Sequence, residues 1–374
     1  MKAFNLTCVL AAFTVTSAWG ETKPAAKPAL TAPAAHSQDI APDACIASII
    51  AKRTQARAAE PAPGTKPQPL SDGEKAFFAY DQGQYLTALS LAEAAASRGD
   101  PAAHTLVARI HDEGLGVPKD PITAARWYAR GAELCDVPAL FEYGLMLAQG
   151  RGVGKDRVAA AEMLEKAALS GHALANYNLG LIFVKGDGKP ENPYRAAQHI
   201  RYAAEKGIAA AQYDIAVMYQ TGSGVTQDMV EASNWYNKAA AAGFTAAQYD
   251  YAVLLLKGLG LERDRAKAVT YLRAAADQGM PGAQNRLANL YFEGAGVEKS
   301  LPEAAKWRAL SKRGGVIDAS LDGELAKLPA ADRTAADKAA SDWLDARSIG
   351  AGDFPGGNAP PPAPPKPAAP QKGK

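Results

Sequence analysis

Few stretches of this chain carry residue types whose spacing could do chemistry. Gly150-Arg151-Gly152-Val153-Gly154-Lys155 has the glycines and the lysine of a phosphate-cradling loop. Such a loop needs a strand before it and a Ser or Thr after its lysine, so that a hydroxyl can reach the metal. Here Asp156 follows. The histidines are His36, His104, His111, His172 and His199. Two helical metal ligands sit one turn apart, but His104 and His111 are seven residues apart, on one face and two turns distant. His111-Asp112-Glu113 groups an imidazole with two carboxylates, yet it falls where a helical pattern runs into a glycine turn, a place for solvated carboxylates. Neither Gly-x-Ser-x-Gly nor Cys-x-x-Cys occurs. The sequence assigns no catalytic residue, no cofactor and no metal ligand.

The wider organisation explains where those residues stand. Lys2, the mostly apolar run from Leu6 to Thr16, and small residues at Ala18 and Gly20 form a secretory-signal pattern over residues 1–20, the alternative being an uncleaved anchor. No other stretch is long and apolar enough to span a bilayer. The expected location is the periplasm or the exterior. Cys45 and Cys135 remain after cleavage; in an oxidising compartment they suit a disulfide, with two free thiols as the alternative. The 41 basic and 39 acidic residues nearly cancel, which leaves no electrostatic footprint for nucleic acid. Residues 21–42 read as a Pro/Ala-rich linker, 43–59 as a helix, 60–70 as a second Pro-rich linker, and 350–374 as a disordered Pro-rich tail.

Between them lies a repeat with a period of 36 residues, six units without insertion from Asp100 to Gly315. Position four is always Ala (103, 139, 175, 211, 247, 283), and position nine is Ala or Gly. Small residues there let two helices approach closely. Positions fifteen and seventeen are always Gly and should end the first helix with positive φ. Asp120, Asp156, Asn192, Asp228, Asp264 and Ser300 at position twenty-one are N-caps for a second helix. Position twenty-five is always Ala. Trp127, Met163, His199, Trp235, Tyr271 and Trp307 at position twenty-eight read as its core knobs. Cys135 and then five glycines at position thirty-six end that helix.

The unit Ala211-Gln212-Tyr213, Tyr219, Gly222-Ser223-Gly224-Val225, Asp228, Ala232, Trp235-Tyr236, Ala239-Ala240 and Gly243 resembles the Sel1-like repeat, a longer cousin of the tetratricopeptide repeat. The resemblance covers residues 100–315. Residues 71–99 resemble a shorter tetratricopeptide-type helix pair, with Ser71 to Glu74 as a capping box. Ala319–Leu328 reads as one more first helix, and Pro329–Arg347 as a cap anchored by Trp343 and Leu344, so that residues 316–349 close the stack. The fold this implies is all-α: a right-handed α-solenoid of helix-turn-helix repeats with fifteen to seventeen helices.

The resemblance implies holding molecules and no chemistry. The leading expectation is a non-enzymatic periplasmic adaptor assembling or regulating an envelope complex; the alternative is a secreted factor binding a host or cell-surface protein or glycan. Some Cys-rich secreted relatives are linked to β-lactam binding or hydrolysis, with a disulfide in each unit. This chain lacks those pairs and has no Ser-x-x-Lys at Ser97 or Ser170. A partner, protein, peptide or glycan, would meet the first helices, where positions six, ten and thirteen form one stripe. The candidate groove is Leu145, Tyr177, Leu181, Val184, Tyr213, Val217, Gln220, Tyr249, Val253 and Leu256. Position six is expected to lean into the core and positions ten and thirteen to stay open, with Thr105, Arg109 and Asp112 of unit one as a polar rim.

Overall fold

The computed structural model describes Cys45, Ala47 and residues 70–352, with side chains described as far as Arg347. The expected leader, linkers and Pro-rich tail lie outside these residues. Of the helix expected at 43–59, only Cys45 and Ala47 are described, and both are helical. The main compact unit spans residues 42–343, and the described helical turns from Leu344 to Gly352 lie outside it.

Among the described residues the structure holds sixteen helices and no strand. A front pair, α1 (Asp72–Asp81) and α2 (Tyr85–Ser97), precedes six units. Each unit is a pair of 13-residue helices. They are α3 (Pro101–Glu113) with α4 (Pro121–Glu133), α5 (Val137–Gln149) with α6 (Arg157–Leu169), and α7 (Ala173–Lys185) with α8 (Pro193–Glu205). Then come α9 (Ala209–Thr221) with α10 (Met229–Ala241), α11 (Thr245–Lys257) with α12 (Arg265–Asp277), and α13 (Pro281–Glu293) with α14 (Leu301–Arg313). Helices α15 (Ala319–Leu325) and α16 (Ala330–Gly352) follow. From α1 to α15 each helix packs mainly on the one before it and the one after it, which makes the stack a helical-repeat solenoid.

Local chemistry sets these boundaries. Every second helix starts at its position-twenty-one residue, whose side-chain oxygen accepts one or two N–H groups of the first turn. Such a cap is worth about 1 kcal/mol. Every first helix ends at a position-fifteen Gly in the left-handed conformation. At position seventeen a second constraint applies. A Cβ on Gly152, Gly224 or Gly260 would fall on the carbonyl of Pro121, Pro193 or Met229, the first residue of the preceding unit's second helix. That turn is both a stop signal and the point where one unit's backbone lies on the next.

The alanines at positions four and twenty-five are buried, as a close helix crossing requires. Position twenty-eight differs from expectation. Only Trp235 and Trp307 are buried there; Trp127, Met163, His199 and Tyr271 are half-buried. The core knob is the next residue: Tyr128, Leu164, Ile200, Tyr236, Leu272 and Arg308 are all at most 3% exposed. One step along a helix turns the side chain by about 100°, so the second helix is rotated by one position from the expected face.

A buried amide column supplies the polar counterpart. Asn176, Gln212, Gln248 and Gln284 at position five donate to the carbonyls of Ala168, Ala204, Ala240 and Ala276 at 3.0, 3.1, 3.4 and 3.2 Å. Those carbonyls lie in the last turn of the preceding helix, where no intrahelical donor remains. Each carbonyl also accepts the N–H of the following turn glycine, so the amides add a second donor that joins consecutive units, while Gln212 Oε1 finds no partner among the described residues.

At the C-terminal end the elements shift. Helix α15 stops at Leu325, three residues before the expected end. Helix α16 runs to Gly352, so residues 350–352 are helical where the tail was expected to begin; no proline intervenes before Pro355. Trp343 packs edge-on against Trp307 at 6.0 Å between ring centroids. Leu344 is 38% exposed, and the buried residues of α16 are Ala336 and Ala340. The buried face of this helix is therefore that alanine pair together with Trp343, and the expected anchor at Leu344 stands largely outside it.

Candidate partner-binding face

The first helices of units two to five bring the stripe together. Leu145, Leu181, Val217 and Val253 at position ten are half-buried, as is Leu256 at position thirteen. Val184 is 44% exposed. Gln220 is exposed, and its side-chain oxygen accepts the Tyr236 hydroxyl at 2.6 Å. At position six Phe141 is buried, while Tyr177, Tyr213 and Tyr249 are half-buried. The stripe is a lining with one side in the protein and the other open.

The tyrosines are fixed by a register that the repeat period does not reveal. The Tyr177 hydroxyl donates to Asp214 Oδ2 and the Tyr213 hydroxyl to Asp250 Oδ2, both at 2.9 Å. Each acceptor stands at position seven of the following unit. The apolar residues at position ten are thus held between cross-unit polar ties. Burial dominates the electrostatics: it pushes the Asp214 carboxyl up to about 6, against the opposing effects of the Tyr177 hydrogen bond and Lys185. Asp250 is raised for the same reason, opposed by Tyr213 and Arg286. Burial, then the neighbouring aspartates, raises Tyr213 as well. The signal was present as Tyr at position six and Asp at position seven in successive units, but a 36-residue period does not say which of them meet.

Unit one does not form the expected polar rim. Thr105 and Asp112 are buried, 5% and 6% exposed. The Thr105 hydroxyl donates to Asp136 Oδ2 at 2.6 Å, and Asp112 forms an ion pair with Arg151. Arg151 comes from the glycine-lysine stretch that resembled a phosphate loop, so that segment serves as a junction between units one and two.

The histidines are built into packing. His199 Nδ1 lies 2.9 Å from Asn176 Oδ1, and its ring stacks on Phe183. His172 Nδ1 accepts the Ala175 N–H at 3.1 Å, while its ring lies against Phe141. Burial lowers the pKa of both rings. Among the described residues no group of three or more His, Cys, Asp or Glu is placed to hold a metal ion. Cys45 and Cys135 are joined in a disulfide, Cα atoms 5.3 Å apart. Cys135 is the one described non-Gly residue with positive φ, at 62°, because it occupies the turn position that is Gly in the other five units.

A second apolar row lies on the second helices. Ile122, Val158, Tyr194 and Val230, all at position twenty-three, are 56, 57, 64 and 56% exposed. Helical period alone does not separate these from core-facing positions.

The family model described as Sel1 repeat matches residues 101–134, 137–172, 173–208, 209–244, 245–280 and 281–308. Among solved structures, a Sel1 repeat protein from Oxalobacter formigenes is similar at 30% identity and a TM-score of 0.57, covering 67% of this chain and all of that one. A protective antigen present in uropathogenic Escherichia coli strains, with an SLR fold, shares 23% identity at a TM-score of 0.50, over 80% of this chain and 72% of its own. The latter likeness concerns the fold alone. No curated protein matches the chain.

Proposed function

We propose that this chain, which belongs to the Sel1 repeat family, is a non-catalytic adaptor of the bacterial cell envelope that holds a protein partner on the first helices of units two to five. The family supplies a scaffold whose general role is protein–protein interaction. The observation that carries the assignment to this face is the half-open row of Leu145, Leu181, Val217, Val253 and Leu256, backed by tyrosines tied across units. An apolar lining on a rigid backing loses little conformational freedom when a partner covers it. The envelope location is supported by the secretory-signal pattern and by a disulfide, a bond that persists in oxidising compartments.

The test compares the two apolar rows. Leu181→Glu and Val253→Glu place a charge in the first row; Val158→Glu and Val230→Glu do so in the second. All four variants should keep their helicity. Photo-crosslinking in intact cells should lose its product with the first pair and keep it with the second. The reverse pattern moves the partner to the second helices. Unfolding of the first pair would show that the stripe is core. Recovery of the chain outside the envelope fraction would reject the location.

A further inference from the structure

The apolar stripe narrows at unit six, where positions six and ten become Asn285 and Asn289 and only Phe292 at position thirteen stays apolar. A cavity of about 450 Å³ opens there, lined among others by Tyr249, Leu256, Arg286, Asn289, Glu293 and Val316. One exchange at position seven sets its polarity. In units four and five that position is Asp, which accepts a hydrogen bond from the preceding unit's Tyr hydroxyl. In unit six it is Arg286, whose Nε donates to the Tyr249 hydroxyl at 2.8 Å. The hydroxyl has become the acceptor, and its own proton meets no acceptor among the described residues. The half-buried guanidinium also keeps its two terminal NH₂ groups, which form no hydrogen bond or ion pair among the described residues.

The neighbouring groups do not fill this need. Asn285 and Asn289 both give their amide protons to Asp318 Oδ2, at 2.9 and 3.0 Å, and Asn285 Oδ1 accepts from Arg308 at 3.2 Å. Asp250 attracts Arg286 electrostatically but takes its hydrogen bond from Tyr213. Glu293 is seven residues from Arg286, about 10 Å along the helix axis. Two sets of donors short of an acceptor, with apolar Leu256 and Val316 beside them, favour an anion attached to an apolar group.

We infer that this pocket takes the C-terminal carboxylate of an extended partner peptide lying along units two to five. The inference rests on the partner-binding reading of that stripe and gives it an end-point and a direction. A guanidinium offers a carboxylate two parallel N–H···O bonds. A chain that stops here stops where the position-ten row passes from Val253 to Asn289, its last side chain on Leu256 and Val316. An internal acidic side chain would require the chain to continue over Asn285 and Asn289, whose Nδ2 groups already donate to Asp318. Asp214 and Asp250 upstream disfavour further acidic groups.

The probe is a set of random hexapeptides tethered by their N termini, each made with a free C-terminal carboxylate and as the C-terminal amide, and incubated with the full chain. Acid-ended peptides should be retained about tenfold or more over their amides. Arg286→Gln should abolish that preference and Tyr249→Phe reduce it, without change in melting temperature. The acid–amide comparison on the unmodified protein needs no substitution, so a folding defect in a variant does not obscure it. Equal retention of the two sets, or a preference that survives Arg286→Gln, overturns the carboxylate pocket. Equal retention that falls with Leu181→Glu leaves the partner-binding face standing and removes only the pocket. No retention of any peptide sinks both.

Discussion

Two glycines of unit five separate conformational strain from close approach. Gly260 and Gly279 have φ of +72° and +84°, so alanine at either is forced into the left-handed region. That costs about 1–2 kcal/mol. Around Gly279 an added Cβ meets nothing within 4 Å, so strain is the whole effect. At Gly260 the same Cβ would overlap the Met229 carbonyl and come within 3.0 Å of Val230 N. Relief requires lifting the turn of unit five off helix α10 of unit four, an overpacking cost of about 1–3 kcal/mol more. Gly279→Ala should therefore lose about 1–2 kcal/mol and Gly260→Ala about 2–5 kcal/mol. Urea unfolding followed by far-ultraviolet circular dichroism measures both. The junction also carries the coupling between neighbours in a linear stack, so Gly260→Ala should broaden or split the transition while Gly279→Ala only shifts it. Equal losses with equally sharp transitions would refute the close approach and leave position seventeen as a turn residue alone.

Further outcomes follow from other contacts. Cys45→Ser opens a loop closed over 90 residues, a loss of about 4–5 kcal/mol on a chain-entropy model, measured by thermal unfolding with and without reductant. An unchanged melting temperature would show that the bond constrains little. Burial raises the Asp214 carboxyl from an ordinary 3.8 to about 6, so the stability it contributes is fully present below about 3.8 and lost as pH rises through about 6. Asp214→Asn should accordingly be more stable than the parent at pH 7 and equal to it near pH 4; a gap that is the same at both pH values would contradict the burial effect. Arg308 is 3% exposed and donates to both oxygens of Asp322, and also to Asn285, Ser311 and the Val316 carbonyl. Arg308→Met should cost about 3–5 kcal/mol in chemical denaturation by stranding those acceptors, and a loss below about 1 kcal/mol would show that they find other donors.

The sequence alone determined the unit and its boundaries. The period of 36, the N-caps at position twenty-one and the Gly stops at position fifteen act within a few residues of chain, so their types and spacing suffice to place each helix. It also placed the apolar stripe on one face of the first helix, because that face follows from helical period. The tertiary structure decided which neighbour each side chain meets. Positions twenty-eight and twenty-nine are both bulky and adjacent, and only the packing angle of the second helix makes Leu164 and Leu272 the knobs, with Met163 and Tyr271 beside them. Thr105 and Asp112 look like surface polar residues until Asp136 and Arg151, 31 and 39 residues away, are brought against them. The Tyr–Asp ties join residues 37 apart, one more than the repeat, and that extra step comes from the offset between stacked helices. Local signals repeat with the chain, whereas contacts between units depend on the rotation from one unit to the next, which no single repeat encodes.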